Sequence, residues 1–255
     1  MRRFVIGTTL LAAAVAFGRQ TECREPVPPG DAPSGPAQAV SANLQIMVGR
    51  AGVDRDTGFV EIFGEVRNDT GEWILTPRID VDLLDARGES LGVKSVATAV
   101  AEDMGKGDAL DSTYALRDFV PPGEVAPFHY IRDAKKIGGT YASHRLRASA
   151  RAIPAAEAPV VVIEGFSHES DKHGTLLARG VIRNTGTVGC RSPEAIVAAY
   201  DAGGKLFKLE SDEPEEYSQK VLGPGESVAF TVRIHASDGD ALSTVRSFAD
   251  CGRVD

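Results

Sequence analysis

With 255 residues, 42% apolar and 25% charged side chains, the chain is long enough for one large domain or two ordinary ones, and too apolar for wholesale disorder. Its formal net charge of −8 argues against non-specific nucleic-acid binding, which would need a basic face to neutralise phosphates. The same charge argues against electrostatic adhesion to anionic lipid.

The N-terminus reads as a leader. Arg2 and Arg3 give a positive start, residues 4–17 are uncharged and mostly apolar or small, and Gly18 precedes Arg19 and Gln20. A run this short fits a secretory signal peptide over residues 1–18 better than a bilayer span, so no membrane span is expected after cleavage. An uncleaved anchor is the alternative. Cys23 follows closely, but Glu22 stands directly before it, where lipoprotein processing wants a small residue, and this disfavours a lipid anchor. Residues 19–41 form a Pro-rich spacer in which Pro26, Pro28, Pro29, Pro33 and Pro36 prevent regular structure.

A second break, residues 153–158, separates segments 42–152 and 159–255. Neither shows a long helical period; both carry short alternating runs bounded by Gly, Pro, Asn and Asp, the pattern of an all-β sandwich. The segments are copies of each other. Gly64-Glu65-Val66-Arg67-Asn68 matches Gly180-Val181-Ile182-Arg183-Asn184, and Asp85-Ala86-Arg87-Gly88 matches Asp201-Ala202-Gly203-Gly204, both at an offset of 116 residues. Pro122-Gly123-Glu124 with Phe128 matches Pro224-Gly225-Glu226 with Phe230 at an offset of 102. The first copy therefore holds a longer loop, over about residues 99–119.

In the first copy Val60, Ile62, Gly64 and Val66 are expected to line one face of a strand, with Glu61, Phe63 and Glu65 on the other. Asn68 and Asn184 end that strand in a turn. Ile79, Val81 and Leu83 form the inward face of the next strand, with Asp80 and Asp82 outward. Asp85 to Gly88 and Asp201 to Gly204 read as tight hairpins, and the Pro-Gly-Glu segments as turns feeding strands 125–131 and 228–234. A last strand is expected at 145–150 and at 245–249.

These landmarks together, VDLLDARG at residues 81–88 and VAAYDAGG at 197–204 above all, resemble the FxLYD-type domain, with Leu84 in the first copy where the second has Tyr200. The resemblance covers both segments and implies two tandem immunoglobulin-like β-sandwich domains of an envelope protein, with no catalytic residues to carry over.

Three chemical readings compete with plain scaffold roles. Gly88-Glu89-Ser90-Leu91-Gly92 has the form of a G-x-S-x-G nucleophile elbow, but it lies in a hairpin, no helix pattern follows, and His129 and His144 would have to converge on Ser90. His168 and His173 sit in what reads as a polar loop without a third ligand, so no metal is expected. Glu61, Glu65, Asp80 and Asp82 read as two solvated faces on opposite sheets.

The equivalent outward positions of the second copy are apolar: Leu177, Val181, Ile196 and Ala198, with Tyr200 beside them. Such a face calls for a cover, either the first copy or a partner. Cys190 and Cys251 are expected to pair in an oxidising compartment if their strands are antiparallel neighbours; free thiols or a Cys23 pairing are the alternatives. Asn68-Asp69-Thr70 is a glycosylation sequon by pattern alone.

The expected protein is thus exported, periplasmic or secreted, and non-catalytic. It acts as a binding or scaffolding module through sheet faces and loops, without cofactor or nucleic acid, and its partner is an unknown envelope protein. An architectural spacer holding other components off a membrane is the second reading, and a hydrolase using Ser90 a distant third.

Overall fold

The alternating runs become strands in a computed structural model that describes residues 39–40, 43–92, 111–171, 175–214, 220–235 and 242–252. The first half holds β1 (Ala39–Val40), β2 (Leu44–Val53), β3 (Phe59–Asn68), β4 (Trp73–Leu84), β5 (Asp111–Tyr114), β6 (Phe119–Val120), β7 (Val125–Asp133) and β8 (Ser143–Ile153). The second holds β9 (Val161–Ser170), β10 (Thr175–Asn184), β11 (Cys190–Tyr200), β12 (Leu206–Asp212), β13 (Val221–Leu222), β14 (Ser227–His235) and β15 (Thr244–Gly252). Helical structure among the described residues is limited to 3-10 turns at Ala134–Lys136 and Ala155–Glu157. No described helix is long and apolar enough to cross a membrane.

Every strand pairing is antiparallel, and the connectivity occurs twice. Sheet β2-β3-β7 recurs as β9-β10-β14; the facing sheet β8-β4-β5, with β6 also on β4, recurs as β15-β11-β12, with β13 on β11. Each half buries its inward side chains between its own two sheets. Val60, Ile62 and Val66 of β3 and Phe128 of β7 meet Ile74, Ile79 and Val81 of β4. In the second half Ile182 of β10 and Phe230 of β14 meet Val197 of β11 and Phe207 of β12. The landmark glycines belong to these cores. A Cβ on Gly64 would lie 2.5 Å from the Phe128 ring, and one on Gly180 would lie 2.8 Å from the Phe230 ring. The spacing of Gly and Phe in both copies is thus a packing constraint across one strand pair.

Each half also breaks a long strand at the same place. The β4 register shifts between Leu75 and Arg78, and that of β11 between Arg191 and Pro193. Thr76 and Ser192, each followed by proline, take positive φ values of 47° and 43°. Proline cannot donate to the ladder, so the strand bulges there and its twist increases.

Several boundaries differ from those expected. The spacer ends earlier than residue 41, because Ala39 and Val40 pair with Arg151 and Ala150 on β8. Across residues 153–158, β8 runs to Ile153, residues 154–157 are exposed and include a 3-10 turn, and Ala158 is buried. The strands after each Pro-Gly-Glu turn and the last strands run a few residues beyond their expected ends. His168 lies on β9, not in a loop, with its ring tilted 6.0 Å from that of Phe166. The signal peptide, Cys23, residues 93–110 of the long loop and His173 lie outside the described residues.

Candidate functional site: the seam between the sandwiches

The duplicated turn residues form two matching buried hubs. Gly123 and Gly225 have φ near 80°, which suits glycine, and close type II turns behind Pro122 and Pro224. Each glycine N–H donates to the carbonyl of an asparagine, Gly123 to Asn68 at 2.7 Å and Gly225 to Asn184 at 2.8 Å. Those asparagines do more than end a strand, for both are fully buried. Asn68 Nδ2 donates to the carbonyls of Glu72 and Val120, and Asn184 Nδ2 donates to those of Val188 and Leu222. With Nδ2 so engaged at zero exposure, the Asn68 sequon offers no acceptor nitrogen in the folded chain. Asp85 and Asp201 close their hairpins as expected: each Oδ1 accepts two backbone N–H groups, and the carbonyls accept from Gly88 and Gly204.

Ser90 pairs with Leu84 in a bridge, and its hydroxyl donates to Asp82 Oδ1 at 2.6 Å. Asp82 also accepts a two-pronged contact from Arg145. His129 is stacked on Phe63 on the other sheet, and His144 Nδ1 shares a hydrogen bond with the Tyr141 hydroxyl. Among the described residues no three His, Cys, Asp or Glu side chains form a group suited to a metal.

The apolar face of the second copy divides in two. Ile196, Ala198 and Tyr200 of β11 pack with Leu206 and Leu209 against Phe63 on the outer face of β3. Leu177 and Val181 do not join them. They stand on β10, in the opposite sheet of the second sandwich, so their outward side points away from that seam. The acidic face of the first copy is corrected by the same contact. Glu65 is buried rather than solvated, and its carboxyl accepts the Tyr200 hydroxyl at 2.6 Å. Burial and the adjoining Glu65 carboxyl raise the Tyr200 pKa above the ordinary phenol range, while the Arg246 guanidinium lies 4.8 Å over the ring. Tyr200→Phe would leave Glu65 buried without this donor, so we expect a loss of about 1.5–3 kcal/mol in urea unfolding. Tyr200→Phe/Glu65→Leu should recover most of that loss, because an apolar pair needs no hydrogen bond. A double variant no more stable than Tyr200→Phe would refute this account.

A second set of contacts comes from the end of the long loop. Asp250, buried on β15, accepts the backbone N–H of Asp118 at 2.7 Å and of Phe119 at 3.3 Å. Asp118 is itself held by the β4 bulge, where Thr76 donates from its N–H and its hydroxyl. Burial, against the two N–H donors, pushes the Asp250 carboxyl up to about 8. The Thr76-Pro77 and Ser192-Pro193 bulges had a signal in the sequence, a proline inside a strand pattern at the shared offset of 116. No such signal marked Asp250.

His129 lies at the edge of the same seam, 4.0 Å from the Phe63 ring and nearly parallel to it. Burial first, then the charge of Lys208 on β12, lowers its pKa to about 4. A depressed imidazole pKa means that the folded chain binds fewer protons than the unfolded one between that value and the ordinary 6.5. The stabilisation is present above pH 6.5 and is lost as pH falls to about 4, with a ceiling of about 3 kcal/mol. Asp250 acts in the opposite sense, its contribution falling as pH rises from 3.8 through about 8. The expected result is therefore a difference: His129→Phe should gain stability over the parent chain as pH drops from 6.5 to 4, read by thermal melts. Parallel pH profiles would refute it.

Cys190 and Cys251 form a disulfide between β11 and β15, which are antiparallel neighbours. The described residues thus define an all-β protein of two antiparallel sandwiches, the second carrying a disulfide. No protein-family model matches the chain, and no curated protein matches it. Among solved structures it is similar to red sea bream transglutaminase, with a TM-score of 0.26 and 11% identity over 82% of this chain and 29% of that one. It is also similar to a calcium-binding mutant of Bacteroides uniformis beta-glucuronidase 2, with a TM-score of 0.20 and 12% identity over 78% of this chain and 28% of that one. The chain spans less than a third of either protein's length, and likeness at these scores assigns no activity.

Proposed function

We propose that the chain is an exported, non-catalytic protein whose two immunoglobulin-like sandwiches, related to FxLYD-type domains, act as one rigid unit that binds or scaffolds another envelope protein. The observation that carries this reading is the buried seam, in which Phe63 meets Ile196 and Tyr200 and Asp250 grips two backbone N–H groups of the first copy. A spacer needs length alone, whereas a seam with satisfied polar contacts holds two sandwiches in fixed register and so fixes the arrangement of the loops they display. The Cys190–Cys251 disulfide suits an oxidising compartment.

The test is affinity capture from envelope extract with the full chain and with a variant in which residues 99–110 are replaced by a short Gly-Ser link. Residues 111–119 are kept, because β5 and the Asp118–Phe119 contact belong to the folded body. A specific protein retained by the parent and lost by the variant supports binding through the loop. Equal retention by both places recognition on the sheet faces, and no specific retention by either favours the spacer.

A further inference from the structure

The sheet face that docks in the second copy lies open in the first. In the seam, Ile196 of β11 and Phe248 of β15 stand opposite each other in register and join one cluster with Phe63. The positions of the same register in the first copy are Asp80 of β4 and Arg147 of β8. Residues directly opposite on antiparallel strands share a face. The rows of this face therefore run Arg145–Asp82, Arg147–Asp80–Ser112 and Ser149–Arg78–Tyr114 across β8, β4 and β5. Arg151 follows on β8, at the rim of the junction with the second copy.

The charges on this face do not cancel. Arg145 Nη2 donates to Asp82 at 2.7 Å, and Arg78 Nε lies 3.0 Å from Asp80. Arg147 and Arg151 are exposed, and among the described residues neither has an acid partner. Glu157 lines the same hollow as Arg151 without pairing to it. On a chain of net charge −8, this one face thus keeps two unmatched positive charges. Both are arginines, whose planar fork suits a carboxylate and sheds water more readily than an ammonium. Tyr114, 54% exposed, stands beside Arg78, and tyrosine with arginine is the composition of interface anchors. Side chains two apart on a strand repeat at about 6.7 Å, so Arg145, Arg147 and Arg151 match the alternate side chains of an extended peptide. We infer that, given the protein-binding function proposed above, this face docks an extended acidic segment of the partner protein, with its carboxylates on Arg147 and Arg151 and its chain beside Tyr114.

The probe is a fluorescein-labelled peptide of alternating Glu and Thr, titrated with the full chain at low salt and followed by anisotropy. A peptide of alternating Lys and Thr is the control. The expected result is saturable binding of the Glu peptide alone, weakened by added salt and about tenfold weaker in Arg147→Glu/Arg151→Glu. Should that variant melt early, Arg147→Gln/Arg151→Gln and Tyr114→Ser introduce no like charge and should still weaken binding. Arg179→Glu/Arg183→Glu, on the outer face of β10, should leave it unchanged. Equal losses from the two charge reversals, or no saturable binding at all, would overturn the assignment. Tighter binding of polygalacturonate through the same arginines would overturn it in favour of an anionic glycan. Dimerisation of the parent chain that Arg147→Glu/Arg151→Glu abolishes would give the face to a second copy instead. A specific envelope protein captured equally by the parent and by this variant would reject the face and leave the binding function standing. Joint loss of peptide binding and capture would support both.

Discussion

Asn68→Ala should lower the stability of the first sandwich by about 3–5 kcal/mol, the largest effect expected of any single polar substitution here. The size follows from what the amide holds. Its Nδ2 satisfies the Glu72 and Val120 carbonyls at 2.7 and 2.9 Å, and its Oδ1 accepts the Thr70 N–H and hydroxyl. Truncation removes the Asn68 donor from the Val120 carbonyl at a site without exposure. It also loosens the β3–β4 turn and the join between β3 and β6 at once. Asn68→Asp should be no better tolerated, because it sets an acceptor against two carbonyls that need a donor. Urea unfolding followed by Trp73 emission reads the effect directly, since Trp73 begins the strand after that turn. Asn184 holds the equivalent carbonyls of Val188 and Leu222, and Asn184→Ala should cost the second sandwich a similar amount. A loss below about 1 kcal/mol at both sites would show that these amides are not structural hubs.

Removing the disulfide, by reduction or as Cys190→Ala/Cys251→Ala, should cost the second sandwich about 4 kcal/mol. The bond joins residues separated by 61 positions, so it restricts a long loop of the unfolded chain. It also ties the start of β11 to the end of β15 one residue from Asp250, which grips Asp118 and Phe119 of the first copy. Loss of the bond should therefore weaken the seam as well as the sandwich. Denaturation with and without dithiothreitol, with thiol counting to confirm reduction, measures the cost. An unchanged midpoint in fully reduced protein would rule out the stabilising role.

Both hubs illustrate what local pattern can and cannot convey. The repeated Gly, Asn and Pro-Gly-Glu positions marked strand ends and turns correctly, because those residues act through their own backbone and immediate neighbours. Their side-chain partners were not legible in the same way. Val120 lies 52 residues beyond Asn68 and Leu222 lies 38 beyond Asn184, and no local rule pairs an amide with so distant a carbonyl. The disulfide was conditionally legible, since two cysteines suggest a bond but only strand order brings them together.

Seen from the seam, the division is sharper still. Alternation along β3 placed Glu61, Phe63 and Glu65 correctly on its outer side, but whether an outer side meets water depends on what docks there. The sequence by itself determined the all-β class, the duplication, the turns and the inward face of each main strand, because periodicity and turn chemistry are short-range properties. Only the tertiary structure decided that Glu65 is buried under Tyr200, that Leu177 and Val181 part from Ile196, and that Asp250 grips Asp118 and Phe119. Those outcomes depend on which sheet face meets which, and that is settled by long-range complementarity between surfaces rather than by any run of residues.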